Sequence, residues 1–146
     1  MSSIECNSKH GNLTCPHIDN ERTNYTFNNT GEIREIKQQM TCKSTNLIYM
    51  IECKQCKKKY IGETKRTLRE RFTEHRQATN KPSHVNASAA VPTHFNLPDH
   101  SIEDMILIPP HLQPTLNTSS RKAREAYLIR RGQTLEPSGM NRRDER

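Results

Sequence analysis

The sequence predicts a small α+β fold in which a mixed or antiparallel three-stranded sheet is flanked by helices in the order β-β-α-β-α. An apolar run at 47–52 and a second short strand at 58–62 stand close enough together to form a hairpin. Apolar residues recur at helical spacing in 65–77 and again in 120–132, and a third apolar run at 102–108 separates these helical segments. Only 31% of the 146 residues are hydrophobic and tryptophan is absent, so the core must be small. A metal ion that staples the hairpin would compensate for this small core.

The two predicted helices have recognisable ends. Leu68 and Phe72 lie four residues apart on one stripe of the first helix, and Thr64 is the candidate cap at its start. Gly132 is the candidate cap at the end of the second helix. The prolines at 109–110 are expected to stop the third strand. Each element is therefore bounded by a residue that disfavours its continuation.

The remaining segments are expected to be irregular. Residues 1–41 are polar and form an N-terminal extension, in which 23–27 and 32–36 could pair as a small hairpin. Residues 78–100 hold three prolines and are interpreted as a loop. Residues 142–146 form a charged tail.

Charge and cysteine content narrow the functional classes. The net charge is +7, and residues 54–76 hold nine Lys or Arg against three acids. This distribution favours a nucleic-acid partner, although a merely solvated basic surface is the alternative. The chain shows neither an apolar run long enough for a membrane span nor a signal peptide, so no membrane partner and an intracellular, nuclear location are expected. Five cysteines without an export signal favour metal ligation over disulfides. The candidate DNA contacts are Lys58, Lys59, Lys65, Arg66 and Arg69.

The register of the predicted hairpin follows from its shortest turn. If 54–55 is a two-residue tip, Cys53 faces Cys56 and Tyr49 faces Tyr60, and both pairs fall on one face. The thiols would then lie roughly 13 Å from the phenols, at about 3.3 Å per residue. Lys-Gln is a poor sequence for a tight turn, so a metal held by the cysteines would help to close it. Cross-strand aromatic packing is the simpler explanation for the two tyrosines.

The two half-motifs Leu47-Ile-Tyr49 and Tyr60-Ile-Gly62 resemble those of the GIY-YIG nuclease superfamily. Leu47 departs from the family's first glycine. Further positions resemble family motif residues in the family's order: Arg71, His75, Glu125 and Asn141. The resemblance implies a nuclease that hydrolyses phosphodiester bonds.

The most similar subgroup is the endonuclease domain of Penelope-like retroelements, which carries a Cys-x-x-Cys between the half-motifs and two histidines downstream. This resemblance covers residues 42–141, and Cys42 itself fits the subgroup. It implies a structural Zn²⁺ held by two thiolates and two imidazoles, a donor set suited to tetrahedral coordination. The implied ligands are Cys53, Cys56, His94 and His100.

The resemblance also assigns chemical roles. Glu125 would hold one catalytic Mg²⁺ or Mn²⁺, and Arg71 would bind phosphate oxygens. Tyr49 or His75 would take the proton of the attacking water. Taken singly, each has a simpler explanation: the arginine and histidine as surface side chains, and Glu125 as the partner of Arg121 one turn away.

The other two motif residues would position rather than react: Tyr60 would orient the water or phosphate, and Asn141 would hold the phosphate or the loop. The resulting hypothesis is a DNA endonuclease that nicks DNA, with the priming of reverse transcription as its candidate role, although no reverse-transcriptase portion lies in this sequence. The alternatives are a catalytically inactive zinc module that binds nucleic acid and an adaptor that contacts other proteins.

The three remaining cysteines suggest a second, weaker hypothesis. Cys6, Cys15 and Cys42, with His10 or His17, could form a partial second zinc module. Their irregular spacing equally fits free thiols.

Overall fold

The computed structural model describes residues 15–19, 21–36, 41–80, 89–112 and 117–142. These residues form an α+β fold, as predicted, and none of the described helices has the length and apolar character needed to span a membrane. The strands and helices are β1 (Asn24–Phe27), β2 (Glu32–Glu35), β3 (Leu47–Cys53), β4 (Lys59–Thr64), α1 (Leu68–Asn80), α2 (Ala90–Phe95), β5 (Met105–Leu112) and α3 (Thr118–Gly132).

Strand β3 is the centre of the fold. It pairs antiparallel with β4 on one side and with β5 on the other, and all seven of its residues are buried. Because side chains alternate along a strand, Tyr49 and Ile51 face one core with α1 and α2, whereas Ile48 and Met50 face a second core with α3. The sheet is therefore covered on both faces, which explains the uninterrupted apolar run of β3.

Strand β5 does not stop at the prolines, so that prediction was wrong. Met50 pairs with Ile108 but Ile48 pairs with His111, which leaves one extra residue on β5. This bulge lies on an edge strand, where the missing N–H of proline is tolerated. The start also differs, because Ile102–Asp104 forms a short 3-10 turn before the strand begins.

The first helix begins and ends three residues later than predicted. Its N-terminus is capped by Thr67 rather than Thr64: the Thr67 hydroxyl accepts from the backbone N–H of Glu70 at 3.1 Å, and the Glu70 carboxylate accepts from that of Thr67 at 3.1 Å.

The prediction that residues 78–100 form a loop is partly wrong as well. Its described part contains α2, whose Pro92 lies in the first turn, where no intrahelical N–H is needed.

Gly132 serves α3 in a different way from the one predicted. It is the last helical residue, and the left-handed cap that follows is Gln133, with φ of 53°. A side chain at position 132 would collide with the ring of Phe27, so a glycine is required by close packing. The helix starts earlier than predicted, after Asn117, which accepts from the backbone N–H of Ser120 at 2.8 Å.

The segment before residue 42 contributes to both cores. The predicted hairpin is confirmed as β1 and β2, and the rings of Tyr25 and Phe27 pack edge to face in the core shared with α3. Ile18 forms a parallel bridge with Leu107 of β5 and lies in the opposite core. These contacts tie residues 15–19 and 21–36 to the two faces of the sheet.

Candidate active site and metal site

The predicted register of the tyrosines was wrong by two residues. Tyr49 pairs with Gly62, and Ile51 pairs with Tyr60. A shift of two keeps every side chain on its face, so the phenols still meet, as diagonal neighbours with ring centroids 6.3 Å apart. The prediction that the two tyrosines lie on one face of the hairpin is therefore confirmed, although they are not directly paired.

The shift arises in the hairpin loop, which has four residues instead of two. The backbone N–H of Lys57 donates to the carbonyl of Cys53 at 2.8 Å, and Lys57 adopts a left-handed φ of 67°. Cys56 consequently lies within the loop and not opposite Cys53. A four-residue loop does not need the residue pairs that a two-residue turn requires. Lys54-Gln55 is therefore compatible with the observed hairpin.

Gly62 has a role that the sequence did not reveal. A Cβ atom built on Gly62 would lie 2.5 Å from the hydroxyl oxygen of Tyr49 and 3.0 Å from the ring of Tyr60. The absent side chain leaves the space that the Tyr49 phenol occupies across the strand pair. The position of Gly62 in the second half-motif marked it as a candidate functional residue. The observed strand register shows its role, which is to leave room for the Tyr49 phenol.

Three polar side chains form a hydrogen-bonded row beside the tyrosines. The Nε–H of Arg71 donates to the Tyr49 hydroxyl oxygen at 3.1 Å, and that hydroxyl lies 2.8 Å from Nε2 of His75. Because the arginine can only donate, the tyrosine accepts from it and its own O–H points to the histidine. In this arrangement Nε2 of the neutral His75 imidazole is the unprotonated nitrogen and accepts from the Tyr49 O–H. Tyr49 and His75 are buried, and Arg71 is half-buried.

Burial holds Tyr49 and His75 in their neutral forms at physiological pH, beside the charged Arg71. It raises the pKa of Tyr49 well above its usual value, and the neighbouring Tyr60 raises it further while Arg71 lowers it. Burial and the positive charge of Arg71 hold the pKa of His75 well below its usual value. A neutral imidazole is therefore available as a proton acceptor at the end of the row.

The guanidinium of Arg71 has an acidic partner on its own helix. Its Nη1 lies 2.9 Å from the Glu74 carboxylate, which also pairs with Arg66. In α1, positions 71 and 75 are one turn apart, so Arg71 and His75 project from one side toward Tyr49, as predicted.

An ion-pair network holds the start of α3 against β4. Arg121 is buried, and its Nε donates to the Glu63 carboxylate at 2.8 Å, while the Lys122 ammonium reaches the same carboxylate at 2.8 Å. Glu125 follows Arg121 by one turn and is half-buried. Its negative charge contributes to the raised pKa of Tyr49, which shows that the carboxylate lies within electrostatic reach of the phenol.

Asn141 holds the C-terminal segment on the outer edge of β4. Its Oδ1 accepts from the backbone N–H of Ile61 at 2.9 Å, and its Nδ2 donates to the Ile61 carbonyl at 3.0 Å. The Thr134 hydroxyl donates to the same Oδ1 at 2.7 Å. The Asn141 side-chain amide thus takes the place of a peptide group in a neighbouring strand. It binds the backbone of Ile61, the residue that follows Tyr60 in the chain.

Replacement of Asn141 by alanine is expected to lower the free energy of unfolding by about 2–6 kcal/mol. Both backbone groups of Ile61 would lose a buried partner, at about 1–3 kcal/mol each. Urea denaturation measures the difference, and Asn80→Ala at the exposed end of α1 provides a control within about 0.5 kcal/mol of wild type. Equal unfolding midpoints for the two variants would contradict this role.

The four predicted zinc ligands come together at the loop end of the hairpin. One ligand atom from each of Cys53, Cys56, His94 and His100 lies within 4.8 Å of all the others. They join the end of β3, the hairpin loop, α2 and the segment before β5. Within the described ranges no other group of three or more potential metal ligands is present.

The donor set and its surroundings fit Zn²⁺. Zn–S and Zn–N bonds of about 2.3 and 2.1 Å at a tetrahedral angle place sulfur and nitrogen about 3.6 Å apart, and Cys56 Sγ lies 3.4 Å from His94 Nε2. His100 donates Nδ1–H to the Pro98 carbonyl at 3.0 Å, which leaves Nε2 buried without a partner. Burial lowers the pKa of His94 to about 4, so the imidazole is neutral, as a ligand must be. The cluster could therefore hold zinc.

The described members of the suggested second zinc module have other contacts. His17 is buried, donates Nδ1–H to the Met105 carbonyl at 2.7 Å and packs on the ring of Phe72. Cys42 is buried, and its carbonyl accepts from the backbone N–H of Arg69 at the start of α1. Cys6, His10 and the side chain of Cys15 lie outside the described residues.

Most of the predicted DNA contacts are exposed, but Lys59 is not. The exposed ones are Lys58, Lys65, Arg66 and Arg69. Lys59 is 5% exposed, and its ammonium donates to the Lys57 carbonyl at 3.3 Å and lies 3.9 Å from the buried Glu52. Strand alternation turns this side chain toward the α3 face, so the prediction of an exposed basic side chain at position 59 was wrong.

The fold and the site together define a nuclease domain. A model of the GIY-YIG catalytic domain matches residues 45–141. This match covers about two thirds of the chain, which therefore belongs to the GIY-YIG catalytic domain family. The family consists of endonucleases that use divalent metals, so nuclease activity and a nucleic-acid substrate are implied. No match is found among curated proteins or among solved structures.

Proposed function

We propose that the protein is a metal-dependent endonuclease that nicks DNA. The observation that carries this proposal is the row formed by Arg71, Tyr49 and His75, which ends in a neutral imidazole. Such a row can take up a proton while a permanent positive charge stays beside the reacting phosphate. Tyr60 borders it with a half-buried ring, 5.9 Å from the ring of His75.

The proton path follows from the direction of these hydrogen bonds. An attacking water gives its proton to the Tyr49 oxygen as the Tyr49 O–H proton passes to Nε2 of His75. The resulting hydroxide attacks phosphorus, the P–O bond to the leaving oxygen breaks, and that oxygen takes a proton from solvent. Arg71 stabilises the charge on the phosphate, at the cost of its contact with Glu74. Tyr60 orients the water or the phosphate, and Asn141 positions β4.

Glu125 is the proposed ligand for the catalytic cation. One half-buried carboxylate within electrostatic reach of Tyr49 suits a hard ion such as Mg²⁺ or Mn²⁺, which keeps several waters. The bound ion would supply charge stabilisation at the phosphate.

We propose further that the domain is of the retroelement type and acts in the nucleus. The support is the convergence of Cys53, Cys56, His94 and His100, because this ligand pattern is the one by which the sequence resembles Penelope-like elements. A reverse-transcriptase portion would be the corresponding partner.

The test is the conversion of supercoiled plasmid to nicked circles by the zinc-bound protein with Mg²⁺ or Mn²⁺. We expect Glu125→Ala and Arg71→Ala each to lower the rate by at least about 100-fold, since each removes positive charge from the phosphate in the transition state. Glu35→Ala, which removes an exposed acid of β2, is the matched control with unchanged rate. Full activity in both site variants would refute the assignment.

A catalytically inactive nucleic-acid-binding module is the second candidate. The burial of the Tyr49 hydroxyl and the contact between Arg71 and Glu74 favour it, because both restrict access to the row. Nucleic-acid binding without cleavage across several divalent cations would identify this function.

A further inference from the structure

A cavity of about 190 Å³ lies behind the hairpin loop, away from the tyrosines. Its walls come from the turn between β1 and β2, the loop between β3 and β4, the end of α3 and the segment that follows α3. A single ordered water needs only about 10–15 Å³ of such space, so this cavity is much larger than a one-water site. It is large enough for a phosphate group with part of its hydration.

Apart from Cys56, which belongs to the zinc cluster, the ionisable side chains of the lining are all lysines. Three consecutive lysines, Lys57, Lys58 and Lys59, line the cavity, and none of the eleven lining residues is acidic. Among the described residues, neither Lys57 nor Lys58 forms an ion pair. The nearest acid to Lys59 is Glu52, at 3.9 Å, and Arg22 binds that carboxylate at 2.9 Å. The cavity therefore attracts an anion and contains no counter-charge of its own.

Neutral hydrogen-bonding groups complete the walls and are held in place. The Asn28 amide donates to the Lys57 carbonyl at 3.3 Å, and the Asn29 amide donates to the Gln133 carbonyl at 2.9 Å. The Asn28 NH₂ group keeps a second N–H, whereas that of Asn29 also donates to the Ser138 carbonyl at 3.4 Å. Ser138 adds a hydroxyl to the same lining. An anion would thus meet both charge and oriented donors.

We propose that this cavity binds a phosphate group of the nucleic-acid substrate at a position separate from the reacting phosphodiester. Lys59 directly precedes Tyr60 in β4, and alternation places their side chains on opposite faces of the sheet. A phosphate in the cavity would anchor the substrate next to the reactive strand without occupying the reactive face. The proposal rests on the nucleic-acid substrate that the family implies, but not on cleavage.

Direct binding is tested by NMR titration of the zinc-bound chain with inorganic phosphate at constant ionic strength, with chloride as the reference anion. We expect saturable shifts at Asn28, Asn29 and Ser138. Lys57→Gln combined with Lys58→Gln should weaken phosphate binding at least 10-fold, while the zinc content stays that of wild type. The control is Lys54→Gln, which removes an exposed lysine of the same loop that does not line the cavity. Equal shifts with chloride, or equal weakening by the control, would overturn the proposal.

The source of the phosphate is tested by competition with oligonucleotides in the Arg71→Ala variant. The readout is displacement of inorganic phosphate, so it does not depend on whether the protein cleaves DNA. Displacement of inorganic phosphate only by a 5′-phosphorylated oligonucleotide identifies a terminal phosphate. Equal displacement by the 5′-hydroxyl form identifies an internal phosphodiester. If neither oligonucleotide displaces phosphate, the cavity does not bind the nucleic acid and the proposal is wrong.

Discussion

Removal of zinc from the Cys53, Cys56, His94 and His100 cluster is expected to abolish the cooperative thermal unfolding transition of the protein. The four ligands connect β3, the hairpin loop, α2 and the segment before β5. Hydrogen bonds from Lys54 and Gln55 to Asp104 also join the loop to that last segment. Structural zinc contributes about 10–16 kcal/mol of apparent binding free energy in small domains. This binding free energy is comparable to the typical total stability of a domain, about 5–15 kcal/mol.

The measurement is circular dichroism during heating, before and after chelation, together with the zinc content per chain. We expect one zinc per chain, and Cys56→Ser should lose both the metal and the transition. Cys42→Ala is the matched control, because it alters a buried cysteine outside the cluster and should keep the zinc. A metal-free wild-type protein that unfolds at an unchanged temperature would show that the cluster does not stabilise the fold.

Replacement of Tyr49 by phenylalanine is expected to lower the rate of plasmid nicking by about 10²–10⁴-fold, the usual contribution of a positioned acid–base group. The ring and its packing remain, but the row loses the hydroxyl that links Arg71 to His75. Substrate binding should be unchanged, because the exposed cations of α1 remain in place.

Tyr127→Phe is the matched control for this substitution. Tyr127 lies on α3 at 36% exposure, with the guanidinium of Arg124 5.3 Å from its ring centroid, a contact that phenylalanine retains. Equal rates for Tyr49→Phe and Tyr127→Phe would exclude the proposed proton path.

We also expect no loss of wild-type activity as the pH falls from about 7 to 6, because burial keeps the pKa of His75 well below 6.5 and the imidazole stays neutral.

Short-range patterns in the sequence predicted which elements form and in what order. The apolar run of β3, the helical spacing of Leu68 and Phe72, and the turn between 27 and 32 each depend on neighbours within a few residues. The same locality explains why Arg71 and His75 were correctly placed on one side of α1. Helix α2 was missed because its proline and its short length resemble a loop when only local spacing is considered.

The sequence by itself therefore determined the α+β class, the motif residues and the identity of the four potential zinc ligands. Only the tertiary structure decided that Tyr49 pairs with Gly62, that Lys59 is buried beside Glu52, and that Asn141 completes the edge of β4. The physical reason is that these features depend on pairing between segments far apart in the chain. Strand register, side-chain burial and hydrogen-bond completion are decided by the free energy of those long-range contacts, which local spacing does not contain.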